Sequence, residues 1–253
     1  MLYMMPKMFM QHCSSDFRRI KSTLETVDGW LSEGEARYLY ALARQGPGKG
    51  AIVEIGSWKG KSTIFLAAGS MKASREKIHA IDHHKGGPDQ EGLGYKDIDT
   101  QGEFRKNIRN AGVENHVVPV IMGSVEAIQN WNEPIRLLWI DGNHDYEAVK
   151  NDFLLWEPYV IDGGVIAFHD TYAWEGPRRV VAQYLLNSNR FTILGFIDTI
   201  TAVKKQPPSQ LGRVRMKLLL CIRQLYILGR QHVLPGEIRK WAKAVLRALA
   251  STR

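Results

Sequence analysis

Cysteine is nearly absent from this chain of 253 residues: Cys13 and Cys221 are the only two, and they lie far apart in flanking segments. They form neither a metal-binding spacing nor a disulfide framework, and the sparse usage fits a reducing cytoplasm. Long apolar runs are missing too. None approaches the ~18–20 residues needed to span a bilayer. Residues 1–10 are apolar but interrupted by Pro6 and Lys7. They lack the charged-then-apolar order of a signal peptide and are expected to be poorly ordered or loosely packed, within an N-terminal arm of residues 1–26. Internal repeats are also lacking. The length is enough for a full core in one domain.

Acidic residues are scarce in one place only. Residues 206–253 hold ten Lys or Arg against a single acid, whereas residues 1–205 hold 24 Lys or Arg against 25 acids. The formal charge of +8 is therefore a property of the tail. Two basic amphipathic helices are expected there, over 212–228 and 236–250. In the second, Ile238, Trp241, Val245 and Leu249 share a face. Such helices either lie on a membrane surface or pack on the domain or a second subunit. Nucleic acid is electrostatically allowed, but the absence of the Asn/Asp-Pro-Pro-Tyr tetrapeptide of base-N-methylating enzymes speaks against it. Gln206-Pro-Pro-Ser209 is not one.

Two familiar glycine fingerprints are absent as well, and their absence is informative. Residues 51–63, Ala-Ile-Val-Glu-Ile-Gly-Ser-Trp-Lys-Gly-Lys-Ser-Thr, read as a buried strand, a tight turn and a helix start. A P-loop needs a glycine at 55, four residues before Gly60-Lys61; position 55 is Ile. A dinucleotide fingerprint needs a glycine at 58, where the backbone must approach a pyrophosphate; position 58 is Trp. Neither a triphosphate nor NAD(P) fits well. S-adenosylmethionine (SAM) carries no phosphate. Glu54, Gly56 and Gly60 suit its amino-acid end. Ser57, Trp58 and Ser62 of the same turn are further cofactor-binding candidates; Trp58 either covers SAM or packs against a loop, and Ser62 also serves the helix start. Asp82 ends the apolar strand at 77–82, about one β-α unit downstream, and suits the ribose hydroxyls. His83 is expected beside the ribose or adenine.

Strand patterns fall at 51–55, 77–82, 117–121, 135–141, 160–168, 191–196 and 199–204. Helix patterns fall at 61–71, 100–111, 124–131, 144–156 and 177–187. Ser32 and Glu35 have the spacing of a capping box ahead of one more helix. The alternation predicts a parallel α/β sheet with helices on both faces. Only a short turn region, 195–198, separates the last two strands, so they should form an antiparallel hairpin at one edge. The stretch 83–100 is a long Gly- and Asp-rich loop at the ligand-binding end of the sheet. It reads as a lid, as part of an acceptor pocket, or as an insertion.

Asp141 ends one apolar strand and His144 follows it; His169 and Asp170 end the next. Adjacent strands lie about 4.8 Å apart, so Asp141 and Asp170 can share a hard cation. Strict alternation would send His169 to the opposite face from Asp170 unless the strand end twists.

Three segments, 53–63, Ile140-Asp-Gly-Asn-His-Asp-Tyr146 and Gly163-Gly-Val-Ile-Ala-Phe-His-Asp170, carry a resemblance. Over residues 27–204 the chain resembles the class I SAM-dependent methyltransferases. In particular it is similar to the bacterial group containing macrolide sugar O-methyltransferases and cephalosporin-hydroxylase-like proteins. The resemblance implies a Rossmann-like, doubly wound, mostly parallel seven-stranded sheet over residues 27–205, with a basic helical extension at 206–253. It implies SAM as cofactor, and an adenine contact at Ser124, otherwise a helix N-cap. In the resembling enzymes an acid at the position of Asp141 and an acidic pair at 169–170 hold a divalent cation such as Mg²⁺, and the histidine at position 144 is the base. The metal set expected here is Asp141, His169 and Asp170, and Asp141 also borders the methyl end of SAM. His169 departs from the family's acid and shifts the preference toward transition metals.

The expected activity is O-methylation of a sugar, glycan or secondary-metabolite hydroxyl by a cytoplasmic enzyme, either free or peripheral at the inner membrane surface. Two alternatives stand beside it. One is a metal-dependent hydroxylase of the cephalosporin-hydroxylase-like type. The other is a non-catalytic SAM- or nucleotide-binding module held at a membrane.

Overall fold

The computed structural model describes residues 16–218, apart from 187, 211, 215 and 216. The second expected tail helix lies wholly outside the described residues, and so does most of the first.

Seven strands form one sheet: β1 Ala51–Ile55, β2 Ile78–Ile81, β3 Val117–Val120, β4 Ile135–Ile140, β5 Val160–Phe168, β6 Phe191–Ile197 and β7 Ile200–Lys205. Their order is β3-β2-β1-β4-β5-β7-β6. The first five are parallel; β7 runs antiparallel to both β5 and β6. The hairpin turns at Asp198-Thr199 rather than at 195–198. Gly195 lies inside β6, where the register shifts between Ile193 and Gly195.

Why these segments become central strands is visible in their side chains. β1 and β4 are buried at every residue, as parallel strands covered on both faces must be. Alternation then sorts them. Ile52, Leu137, Trp139, Val165 and Ala167 join one core with α3 (Glu33–Gln45) and α4 (Lys61–Lys72). Val53, Leu138, Ile140, Ile166 and Phe168 join the other, with α8 (Tyr146–Trp156) and α9 (Glu175–Val180). The remaining helices are α1 Asp16–Ile20, α2 Thr23–Thr26, α5 Pro88–Gly92, α6 Gln101–Asn110 and α7 Ser124–Ala127.

The capping box of α3 is present: Glu35 N donates to the Ser32 hydroxyl and Ser32 N donates to the Glu35 carboxylate. Two local expectations change. Gly123, not Ser124, is the N-cap of α7, and Asp145 caps α8, so His144 lies just ahead of the helix. Residues 1–10, where loose packing is expected, lie outside the described residues; residues 16–26 pack on the domain. Phe17 is fully buried, stacks on Phe65 at 5.4 Å and lies under the Arg37 guanidinium. No described helix is long and apolar enough to cross a membrane.

Arg136, fully buried on β4, ties the sheet to the end of α3. Its guanidinium meets Glu76 at 2.7 Å and donates to the carbonyls of Leu42 and Ala43. Removing it strands those acceptors away from water, so Arg136→Ala should cost about 3 kcal/mol or more of stability. Urea unfolding checks this; an unchanged midpoint would show that the pair carries no stability.

Candidate active site

The glycine turn is shaped by contacts that only its backbone can make. At Gly56 φ is +85°, and a Cβ there would lie 2.2 Å from the carbonyl oxygen of Asp141. The ends of β1 and β4 can approach this closely only with glycine at 56. Gly60, also at positive φ, opens α4 as its N-cap. Trp58 itself is left-handed, with φ of 48°. Asp82 holds the turn in place: one carboxylate oxygen accepts from the amides of Ser57 and Trp58 at 2.9 and 2.8 Å, and the other accepts from His84 N at 2.7 Å.

Glu54 lies beneath this turn and lines neither of the two cavities at the strand ends. It accepts hydrogen bonds from Ser62 and Thr63, both at 2.5 Å, and so clamps β1 to the first turn of α4. Burial pushes its pKa up to about 8 despite those two bonds.

Two cavities run along the carboxyl edge of the sheet. One, of about 530 Å³, is bordered by Asp82, His83, Met122, Gly123, Ser124 and Asp152. The other, of about 270 Å³, is bordered by Ser57, Lys61, Ser62, Asp89, His144, His169, Asp170 and three exposed apolar side chains, Trp30, Leu93 and Trp174. Both share Gly56, Trp58, Gln90, Asp141 and Gly142, so they form one crevice. In the first cavity the Ser124 hydroxyl donates to Asp152, whose pKa burial raises to about 6.

The second cavity gathers the chemistry. His169 Nδ1 lies 3.0 Å from Asp141 and 3.2 Å from Asp170, while Nε2 faces Glu35 at 3.5 Å. The alternation problem is solved by Asp170, whose φ of 51° turns the chain at the strand end. Both residues of the pair therefore meet Asp141. Burial alone would lower the pKa of His169, but Asp141, Asp170 and Glu35 outweigh it and hold the ring well above the usual histidine range. Burial likewise works against ionising Glu35, yet His169 and the bonds from Ser32 and Thr199 bring its pKa down to about 2. Asp170 is held well below the carboxylate range, again against burial, by His144 and His169.

His144 Nε2 lies 3.3 Å from Asp170, and Nδ1 lies 2.9 Å from Asp89. Burial pulls its pKa down, but Asp170, Asp141 and Asp89 raise it overall. One side-chain atom each from Asp141, His144 and Asp170 lie within 4.8 Å of one another, a spacing that could hold a cation. The expected trio had His169 in place of His144; His169 instead braces the two acids.

Two residues were missed from the sequence. Glu35 has the local signature of a helix cap and fulfils it, which hides its second contact with His169. Asp89 sits on a short helix within the 83–100 segment and has no periodic pattern around it. That segment packs over the crevice: Tyr95 meets Trp58 at 5.4 Å, and its hydroxyl donates to Asp28.

The sequence comparisons agree with this geometry. Residues 53–171 match the family model described as a methyltransferase domain. An O-methyltransferase, NovP, superimposes with a TM-score of 0.54 at 18% identity, covering 68% of this chain and 79% of that one. An O-methyltransferase from Bacillus cereus in complex with SAH gives 0.53 at 18%, covering 75% and 90%. TomG of Streptomyces achromogenes, an O-methyltransferase involved in tomaymycin synthesis and bound to SAM, gives 0.51 at 16%, covering 78% and 90%. At such identities these likenesses speak for the fold. Among curated proteins, 42 residues are 50% identical to the uncharacterized protein R132 of Acanthamoeba polyphaga mimivirus. That is 16% of this chain, and the match spans only 19% of the mimivirus protein's length. Residues 53–171 are thus similar to a methyltransferase domain, and the sheet order around them is shared with folds of that kind.

Glu54 also sets a pH dependence. Folding raises its pKa from 4.5 to about 8, so between those values the native state keeps a proton that the unfolded chain has lost. Stability contributed at this site therefore falls as pH climbs through the window, by at most about 1.4 kcal/mol per pH unit. Glu54→Gln should flatten the decline in urea midpoint between mildly acidic and mildly alkaline pH. Equal slopes for the two proteins would show that Glu54 does not titrate with folding.

Proposed function

We propose that this protein is an O-methyltransferase that moves the methyl group of SAM to a hydroxyl of a small molecule, with a sugar, glycan or secondary metabolite as the acceptor class. The observation that carries the reading is the opening of the Asp141–His144–Asp170 group into a cavity continuous with the one bordered by Asp82 and Ser124. Adenosine would lie in the larger cavity, with its ribose toward Asp82 and its base toward Ser124 and His83. The sulfonium would cross the shared wall at Gly56 and Trp58 and point its methyl group at the smaller cavity. Ser57, Gly60 and Ser62 would border the amino-acid end, and Glu54 would support the turn from below.

Methyl transfer is an in-line displacement that needs alignment, removal of the hydroxyl proton and exclusion of water. Trp58, Trp174 and the 83–100 segment wall the cavity. His144 is the group placed to take the proton: it borders the cavity and needs only to be neutral. Asp141 and Asp170 are the pair that would hold a divalent cation, with His169 bracing them; bound there, the cation would supply Lewis-acid polarisation of the acceptor oxygen. His144 completes the cation-spaced trio, but a nitrogen cannot ligate and accept the proton at once, and the base role is the one assigned to it here.

Calorimetry with SAM, NAD and ATP, with and without Mg²⁺ or EDTA, tests the cofactor. Micromolar SAM binding, roughly −8 kcal/mol, is expected, with none for the others; a nucleotide triphosphate or nicotinamide in its place would end the reading. Labelled methyl transfer to a panel of glycosides and phenols tests the reaction. Product formation that needs O₂ and not SAM would point to a hydroxylase.

Because the folded protein raises the pKa of His144 above its usual 6.5, turnover should rise with pH through a midpoint above that value. His144→Ala should lower turnover by about 10²–10⁴-fold with SAM affinity kept. A pH-independent rate would remove His144 as the base.

A further inference from the structure

We propose that Asp89 is the positioning residue for His144: it fixes which imidazole nitrogen carries the proton, and it does so from the segment that covers the crevice. This deepens the proposed methyl transfer and rests on that reading for its purpose, although the geometry stands alone. One oxygen of Asp89 accepts from the backbone N–H of His144 at 3.0 Å and lies 2.9 Å from Nδ1 of the same residue. A carboxylate offers only acceptors, so the proton shared between them belongs to Nδ1. The imidazole cannot easily turn away, because the indole of Trp174 lies flat against it, 4.6 Å between centres and 11° between planes. Nε2 faces a second carboxylate, Asp170, at 3.3 Å but makes no hydrogen bond in that geometry, so in the neutral ring the proton stays on Nδ1, at the shorter and hydrogen-bonded contact, and Nε2 keeps its lone pair. A free imidazole would often carry its proton there and be useless as a base.

The placement of Asp89 gives the contact its meaning. It belongs to α5, inside the 83–100 segment, and its neighbours Gln90 and Leu93 line the same cavity. The segment is anchored beyond α5 by Tyr95 against Trp58 and Trp30 and before it by His84, whose ring meets Thr100 at 2.8 Å. The orienting acid thus comes with the cover. The same segment that helps exclude water from a reactive sulfonium therefore also sets the base for proton removal. The other groups facing the ring are Asp170 and, nearby, Asp141 and His169. None of them reaches Nδ1 among the contacts described.

The test is nitrogen NMR of the full-length protein with ¹⁵N-labelled histidine, at alkaline pH where the His144 ring is neutral, alongside calorimetry with SAM. The wild-type ring should show the proton on Nδ1. Asp89→Ala should move the majority of it to Nε2 while SAM affinity stays unchanged. Asp89→Asn, whose amide oxygen still accepts, should keep it on Nδ1 and serves if the alanine variant does not fold. A wild-type ring protonated on Nε2 overturns the proposal. So does an alanine variant with an unaltered tautomer or with lost SAM affinity, or an asparagine variant that switches. If the wild-type protein failed to bind SAM, the functional reading would fall while the tautomer result still decided the role of Asp89.

Discussion

A buried imidazole surrounded by three carboxylates is the constraint on which the rest of this site depends. His169 is only 5% exposed and touches Glu35, Asp141 and Asp170. Two aspartates at adjacent strand ends would repel each other in a poorly solvated crevice. The protonated ring between them removes that repulsion and fixes their spacing. Glu35 adds a third carboxylate on the other side of the ring, so acids face both of its nitrogens and the cluster as a whole stays net negative. A buried charge is tolerated where opposite charge lies this close. The acids that face the cavity are thus held by a partner that does not.

Glycine and tryptophan divide the work at the neighbouring turn. Gly56 allows β1 and β4 to close up until backbone meets backbone. Trp58, in a left-handed conformation that bulky residues seldom adopt, is held there by Asp82 through two amides. Its indole stands at the wall shared by the two cavities, within 6.0 Å of Trp30 and 5.4 Å of Tyr95. A glycine at 58 would let a pyrophosphate approach the backbone; the indole there closes off that approach. The turn that fails the two phosphate fingerprints is consistent on its own terms.

The fold was legible because its signals are local and repeated. Continuous apolar runs in β1 and β4, alternation of strand and helix patterns, and the short final connection together fix a parallel sheet with a reversed edge. The site was legible where a residue ends a strand, as with Asp82, Asp141 and Asp170. It was illegible where tertiary contact decides. Glu35 is fully accounted for by its capping box and gives no hint of a partner 134 positions away, just past the end of β5. Asp89 lies in a stretch with no periodicity, and only the folded path of 83–100 brings it to His144. The alternation rule misplaced His169 because it assumes an extended backbone, and Asp170 is not extended.

Thr199, at the tip of the last hairpin, gives both its amide and its hydroxyl to Glu35, across 164 positions of chain. The same hydroxyl accepts from the amide of Asp170. The final hairpin of the sheet thus braces a helix that precedes the first strand. A nascent chain that stops before this hairpin would own every strand of the parallel half and every acid of the crevice, yet its Glu35 would lack this anchor, so the candidate site is complete only once the reversed edge of the sheet has been made.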